Sequence, residues 1–520
     1  MRRIDAATLR GWIADGDELA ILDAREEGEF GASHLFWAVP CPLSRAELRA
    51  PGLLPCRGTR VVCVDDGRGV AERLATYLAS IGCTDLSVLD GGTPAWEAAG
   101  FVLFSGVNVP SKAFGEWVEH HYGTESVDAL ELQSWLDANR DMVVLDSRTF
   151  EEFQRMSIPG GVSVPGGELV YRVGDLAPDP ETLVVVNCAG RTRSIMGAES
   201  LRQAGIPNKV LALRNGTMGW ELSGLTCDRG RTDRFSPGRP KTADLALSRA
   251  RAFAERTGVR TIGPAELAAF AADPTRTLYV LDVRTPEEFA AGHLSGSVSA
   301  PGGQLVQATD TWVGVRGARI ALIDDDGVRA RMAGAWLRQM GFADVFVVEG
   351  GLGAAAVPGR APVAELAALV PTIDADTLAA ANDALVVDLA RSIEFREGHI
   401  PGARWGVRSR LDALREHLCM AKLVVLTSPD GVLARLAVAE AKALTRAPVR
   451  VLDGGTAAWV RAANKLERDR NNPPDAACVD AYLRPYDRNS GVEDAMRAYL
   501  AWEIDLVHEI KRDGTVHFGV

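Results

Sequence analysis

The chain has 520 residues, of which 47% are hydrophobic and 24% charged, and its formal net charge is −12. That length exceeds a single hydrophobic core and suits about three to five domains. The acid excess excludes a general binder of nucleic acid or of anionic membrane, since both need a basic surface, and no run of about 18 apolar residues is present to span a bilayer.

The N-terminal stretch "MRRIDAATLRGWIADGDELAILDAR" carries two arginines, then acidic residues in an amphipathic pattern. It lacks the apolar segment of a signal peptide, so a cytoplasmic location is expected. The eight cysteines are scattered, with no C-x-x-C pair and no Cys/His cluster at zinc spacing. Neither a disulfide framework nor a metal or other cofactor is expected, and most thiols read as small core residues.

In chain order the first hundred or so residues read as helix, strand, turn, short helix, strand, loop, helix, strand, turn, helix. Apolar runs alternating with amphipathic stretches predict an α/β fold: a small, mostly parallel sheet flanked by helices. The same order returns three more times. Its opening phrase reads "AILDAREEGEFGASHL" from Ala20, "VVLDSRTFEEFQRMSI" from Val143, "YVLDVRTPEEFAAGHL" from Tyr279 and "LVVDLARSIEFREGHI" from Leu385. Its closing phrase reads "SVLDGGTPAW" (87–96), "LALRNGTMGW" (211–220), "FVVEGGLGAA" (346–355) and "RVLDGGTAAW" (450–459). The third copy has Ala355 where the others have Trp96, Trp220 and Trp459. Asp23, Asp146, Asp282 and Asp388 lie 123, 136 and 106 residues apart, a domain length rather than a solenoid repeat.

Four domains follow, at 1–105, 126–228, 259–357 and 372–464, with linkers at 106–125, 229–258 (turning helical) and 357–371. A helical tail, 465–520, closes the chain. Met496, Leu500, Ile504, Leu506 and Val507 give it an apolar face, expected to pack on a module or on a second subunit of a homodimer.

Functional loops of parallel sheets lie at the carboxyl ends of strands. Using the following helix as a ruler, that loop reads "DDGRGVA" from Asp65, "CAGRTRS" from Cys188, "DDDGVRA" from Asp324 and "SPDGVLA" from Ser428, with a shift to Thr427 open. Only the second copy starts its loop with a thiol. Cys63 falls two residues early, inside an apolar run, and reads as core. A nucleophilic thiol needs a lowered pKa. A helix N-terminus, a loop curled by Ala189 and Gly190, and the charges of Arg191 and Arg193 around Thr192 are expected to supply it. Asp146 and Arg148 read as an internal ion pair holding a turn, present in all four copies in some form, Trp220 as core, and Cys227 as a packing residue. His34, His293 and His399 occupy equivalent positions and read as structural hydrogen-bonding residues. Ser157 stands at that place in the second copy, which excludes a Cys–His dyad using it.

The D-x-R…E-F…G-H-[IL] phrase, the C-x-G-R-x-R loop and the D-G-G-x-x-x-W ending resemble the rhodanese family of sulfurtransferases, over about four-fifths of the chain as four tandem domains. The resemblance implies that Cys188 takes a sulfane sulfur from a donor such as thiosulfate or a persulfide. It then passes the sulfur to cyanide, a small thiol or a protein sulfur acceptor. The amides of residues 189–193 would cradle the persulfide, and Arg191 and Arg193 would steer an anionic donor. Asp65, Asp324 and Ser428 or Thr427 would replace the catalytic cysteine in the other copies. Two departures stand out. "RMSIPGG" (155–161) replaces the usual Gly-His-Ile-Pro-Gly-Ala, and Glu152 precedes Phe153 where two-domain thiosulfate enzymes have arginine, so a persulfide or polysulfide donor is as much expected as thiosulfate. Phosphatases and arsenate reductases of this fold use a loop one residue longer, with Arg where Ser194 stands, and rank low. The alternative class is a non-catalytic scaffold binding sulfur-carrier or other protein partners, a role open to the three thiol-free copies.

Overall fold

The apolar runs form parallel strands, since β-branched side chains buried on both faces suit a sheet covered by helices. The computed structural model describes residues 1–351, 356–357, 370–381 and 383–519. In the second copy the strands are Ser126–Val127, Met142–Asp146, Val162–Ser163, Leu183–Asn187 and Val210–Leu213. Their spatial order is first, fifth, fourth, second, third, and all pairings are parallel. The other three copies repeat that order in five-stranded sheets of their own. The chain-order reading names three strands per copy. The structure adds the first and third, edge strands of two or three residues, too short to show an apolar period. Ala355 and most of the 357–371 join lie outside the described residues.

Two stretches read as linkers are core elements. Residues Val109–Tyr122 form a helix that buries Val109, Ala113, Phe114 and Val118. Residues Ala243–Arg256 form another, burying Ala246, Ala250 and Phe253. Both helices join one continuous hydrophobic core with side chains of the first three copies. The fourth copy keeps its own cores and meets the first partly through ion pairs, Arg408 with Glu47 at 2.7 Å and Arg391 with Glu27 at 2.8 Å.

The second and third copies touch at a pair of glycines. A Cβ on Gly167 would lie 2.8 Å from the Gly303 nitrogen, and one on Gly303 would lie 2.7 Å from the Gly167 nitrogen. Beside them Arg329, fully buried, bridges Glu168 of the second copy at 2.8 Å to Glu288 at 2.6 Å and Asp324 at 3.2 Å in its own.

The tail ties the copies together. The Val479 carbonyl accepts from the Gly28 N–H at 2.9 Å, Asp480 accepts from the Ser392 N–H at 2.8 Å, and the Tyr486 hydroxyl lies 3.3 Å from that of Thr217. A single helix, Val492–Asp513, then lies along Val109–Tyr122, with Met496, Leu500, Leu506 and Val507 buried as expected. Ile504 departs from the expectation and is 46% exposed. The buried stripe steps through 496, 500, 503, 507 and 510 in threes and fours, and takes in Glu503 and Ile510 instead. The tail therefore covers modules of its own chain.

Candidate active site

Leu183–Asn187 is the central strand of the second sheet, buried throughout, and Cys188 stands at its C-terminal end, 1% exposed. A four-residue loop leads into the helix Thr192–Gln203. The Cys188 carbonyl accepts from the Thr217 N–H at 2.9 Å and the Ala189 carbonyl from the Met218 N–H at 3.0 Å. Gly216 makes this approach possible: its φ is +53°, and a Cβ there would lie 2.2 Å from the Cys188 oxygen. Gly92 and Gly455 stand in the same relation to the Asp65 and Ser428 carbonyls. The closing phrase is thus a clamp on the loop. Its tryptophans seal the first, second and fourth modules, with Trp96, Trp220 and Trp459 donating to the carbonyls of Val102, Thr226 and Lys465 at 2.9, 3.1 and 2.9 Å.

The central strands end at Val64, Asn187, Ile323 and Thr427, so Asp65, Cys188, Asp324 and Ser428 are equivalent. The helix amides beyond them converge on that position. Asp65 accepts from the Val70 and Ala71 N–H groups at 2.7 and 3.1 Å. Asp324 accepts from Arg329 and Ala330 at 2.7 and 3.2 Å. Ser428 accepts from Ala434 at 3.3 Å. In the second copy the Ser194 hydroxyl, in the first turn of the equivalent helix, lies 3.5 Å from the Cys188 sulfur. Two sister copies therefore hold a carboxylate where the second holds sulfur, and the position is built for an anion.

The thiol itself departs from expectation. Burial pushes Cys188 above its ordinary pKa, and the Arg193 guanidinium and Ser194 offset only part of this. The Cys188 S–H donates to the Ser194 hydroxyl at 3.5 Å, and that hydroxyl donates to the Arg191 carbonyl at 2.8 Å.

The loop arginines are both paired. Arg191 forks onto Glu116 with two contacts of 2.8 Å and reaches Glu119 as well, so it faces the helix Val109–Tyr122. Arg193 forks onto Glu152 at 2.6 and 2.8 Å. Against burial, which would raise it, Arg193 holds the Glu152 carboxyl well below its usual range. Thr192 donates to Glu503 of the tail helix at 3.2 Å, and a Cβ on Gly190 would lie 3.1 Å from the other oxygen of that carboxylate. Arg193 and Ala189 line a cavity of about 400 Å³, whose wall continues with Arg148, Lys112 and the tail residues Arg484 and Tyr499.

Asp146 and Arg148 form the expected buried pair, at 2.7 and 2.9 Å, and Asn187 adds a donor to Asp146 at 2.8 Å. Asp23 with Arg25 and Asp282 with Arg284 repeat it. The fourth copy departs from the expectation of a pair in every copy: Ala390 takes the arginine's place, Arg391 turns to Glu27, and burial raises lone Asp388 to a pKa of about 6. His34, His293 and His399 stack on Phe30, Phe289 and Phe395 and donate Nδ1 to their carbonyls. Ser157 replaces the histidine, its hydroxyl buried without a partner among the described residues. Cys63 is core, and Cys227 packs with Trp220. Sequence reasoning missed Lys112, Glu116, Glu119, Tyr499 and Glu503. They lie outside the repeats, and no local pattern marks them.

A thiol at the end of a central parallel strand, set against converging helix amides, defines a sulfur-handling enzyme on a four-fold repeated α/β frame. The rhodanese-like domain model matches residues 5–99, 128–223, 263–355 and 374–462. A crystal structure of a thiosulfate sulfurtransferase from Pseudomonas aeruginosa is 48% identical, covers 100% of both chains and superposes with a TM-score of 0.94. The thiosulfate sulfurtransferase candidate SseB of Mycobacterium tuberculosis is 28% identical over 32% of this chain and 71% of its own. An HTH-type transcriptional regulator of the same organism is 28% identical over 42% of this chain and 88% of its own. The chain belongs to the rhodanese family, as four tandem rhodanese-like domains. It is a sulfurtransferase of the rhodanese type.

Proposed function

We propose that the second copy transfers sulfane sulfur through a persulfide on Cys188, and that the other three copies are its frame. The observation that carries the reading is the four-way comparison of loops: Asp65 and Asp324 fill the amide nest with their own carboxylates, whereas Cys188 leaves it for a sulfur anion. In the first half-reaction the Cys188 thiolate attacks the outer sulfur of the donor. An S–S bond forms, and the donor's bond to that sulfur breaks. With thiosulfate the leaving group is sulfite, which departs with the bonding electron pair. The hydropersulfide anion then lies on the amides of the loop and the first helix turn. In the second half-reaction cyanide or a thiolate attacks the outer sulfur and releases the Cys188 thiolate, a ping-pong cycle.

A persulfide donor is supported beside thiosulfate, because Glu152 neutralises the one loop arginine that faces the cavity. The test is mass spectrometry after incubation with each donor, together with transfer to cyanide. A gain of one sulfur on Cys188 is expected. Cys188→Ser should abolish transfer and Cys63→Ser should leave it intact. Full activity in Cys188→Ser would overturn the reading. With cyanide as acceptor thiocyanate should form, whereas phosphate ester hydrolysis should be absent.

A further inference from the structure

Of the two loop cations only Arg193 borders this cavity, and Glu152 neutralises it. Arg191 is turned away onto Glu116 and Glu119, and Arg193 is spent on Glu152. Five other cations line the same cavity and make no ion pair among the described residues: Arg229 and Arg470, which donate to backbone carbonyls, Arg488, and the pair Lys112 and Arg484. Both come from outside the four repeats. Lys112 belongs to the helix between the first two copies, one turn ahead of Gly115, which packs on Thr192 of the loop helix. Its ammonium lies 4.8 Å from the Tyr499 ring centroid and 4.6 Å from that of Trp502, so aromatic faces of the tail helix hold it in place. Arg484 is exposed and borders both this cavity and the adjoining one of about 470 Å³ that reaches toward the first, third and fourth copies.

We propose that Lys112 and Arg484 form an anion subsite that takes the oxyanion end of the sulfur donor, a sulfonate or a carboxylate, while its sulfane sulfur meets Cys188. The inference rests on Cys188 being the sulfur acceptor. In physical terms, a buried and caged ammonium has already lost most of its hydration and its rotamer freedom, so little more is lost when an anion docks. The second cation, on the solvent side, would guide the anion inward. The linker helix and the tail, which no rhodanese-like repeat contains, would then complete the site of the second copy.

Calorimetric titration of the Cys188→Ala protein, full chain, tests this without turnover, so its outcome is separate from that of the persulfide assay. Thiosulfate serves as the sulfonate probe and mercaptosuccinate as the carboxylate probe. Lys112→Met, which keeps the packing between the two rings, and Arg484→Gln, an exposed change, should each weaken binding of one or both probes roughly tenfold, the loss that follows removal of one charge-assisted contact. Weakening for one probe alone names the group that is bound. A pH series adds a readout that a structural role would not move. Burial lowers Lys112 to about 8, Arg484 and Arg193 push the same way, and Glu503 and Asp310 oppose. Binding should therefore weaken as pH rises through that value, persist in Lys112→Arg, and lose the step in Lys112→Met. Unchanged affinity for both probes in both variants, or no binding to the Cys188→Ala protein at all, would overturn the subsite.

Discussion

A single buried residue shows what each copy of the repeat has kept or lost. Asp23, Asp146 and Asp282 have an arginine two residues on, and each is neutralised in place. Asp388 has Ala390 there and, among the described residues, only its N–H, at 2.9 Å, to accept from. Burial therefore dominates and raises its pKa to about 6. The folded state then holds the proton more tightly than the unfolded chain. The sign follows: this group's contribution to stability is most favourable at low pH, declines as pH rises from about 4 to about 6, and is flat above. Asp388→Asn should remove that slope in thermal melts across pH and stabilise the fourth copy at pH 7 by roughly 2–3 kcal/mol. An unchanged slope would mean that Asp388 titrates alike in the folded and unfolded chain. Arg391 follows Asp388 closely enough in the sequence to suggest the same pair, and only the fold shows that it points to Glu27 of another copy instead.

At the scale of elements, the helix Val109–Tyr122 has the largest influence on the site. It was read as linker because residues 106–125 interrupt the repeat and carry no repeated phrase. It is nevertheless buried between the loop helix and the tail helix and supplies Glu116 and Glu119 to Arg191. Glu116→Ala should leave a buried guanidinium with one carboxylate in place of two. Breaking such a pair costs about 3–5 kcal/mol, so the variant should melt earlier and lose sulfur transfer with it, because the loop that carries Cys188 is anchored through Arg191. A variant with normal melting and normal transfer would show that the pair does not hold the loop. The expectation that both loop arginines greet the donor failed for a reason sequence cannot display. A charge beside a thiol in the chain points wherever its strongest partner lies, and the partner was 75 residues away.

For the whole molecule, the four copies are not beads on a string. The first three share one core, and Arg329 joins the second copy to the third with no exposed surface of its own. Arg329→Met should leave Asp324 buried without its cation and Glu168 with Arg172 alone, and destabilise the assembly by about 3–5 kcal/mol. Calorimetric melting is the check, and the second and third copies should unfold together, since the lesion lies between them. A separate transition confined to the third copy would count against a shared unit. The same architecture explains why degenerate copies persist. Asp65 and Asp324 satisfy their own helix N-termini, so those loops stay folded without sulfur chemistry and remain available as frame.

The amino-acid sequence by itself determined the repeat, the α/β class, the strand that ends at Cys188 and the contrast with Asp65, Asp324 and Ser428. All of these are local patterns of apolar period and residue type, which a chain displays without folding. The tertiary structure alone decided the rest: that the thiol is buried and its pKa raised, that Arg191 and Arg193 are paired, and that Lys112, Tyr499, Arg484 and Glu503 surround the loop. Those properties depend on desolvation and on charges brought together from distant parts of the chain, and neither is encoded in the order of neighbouring residues.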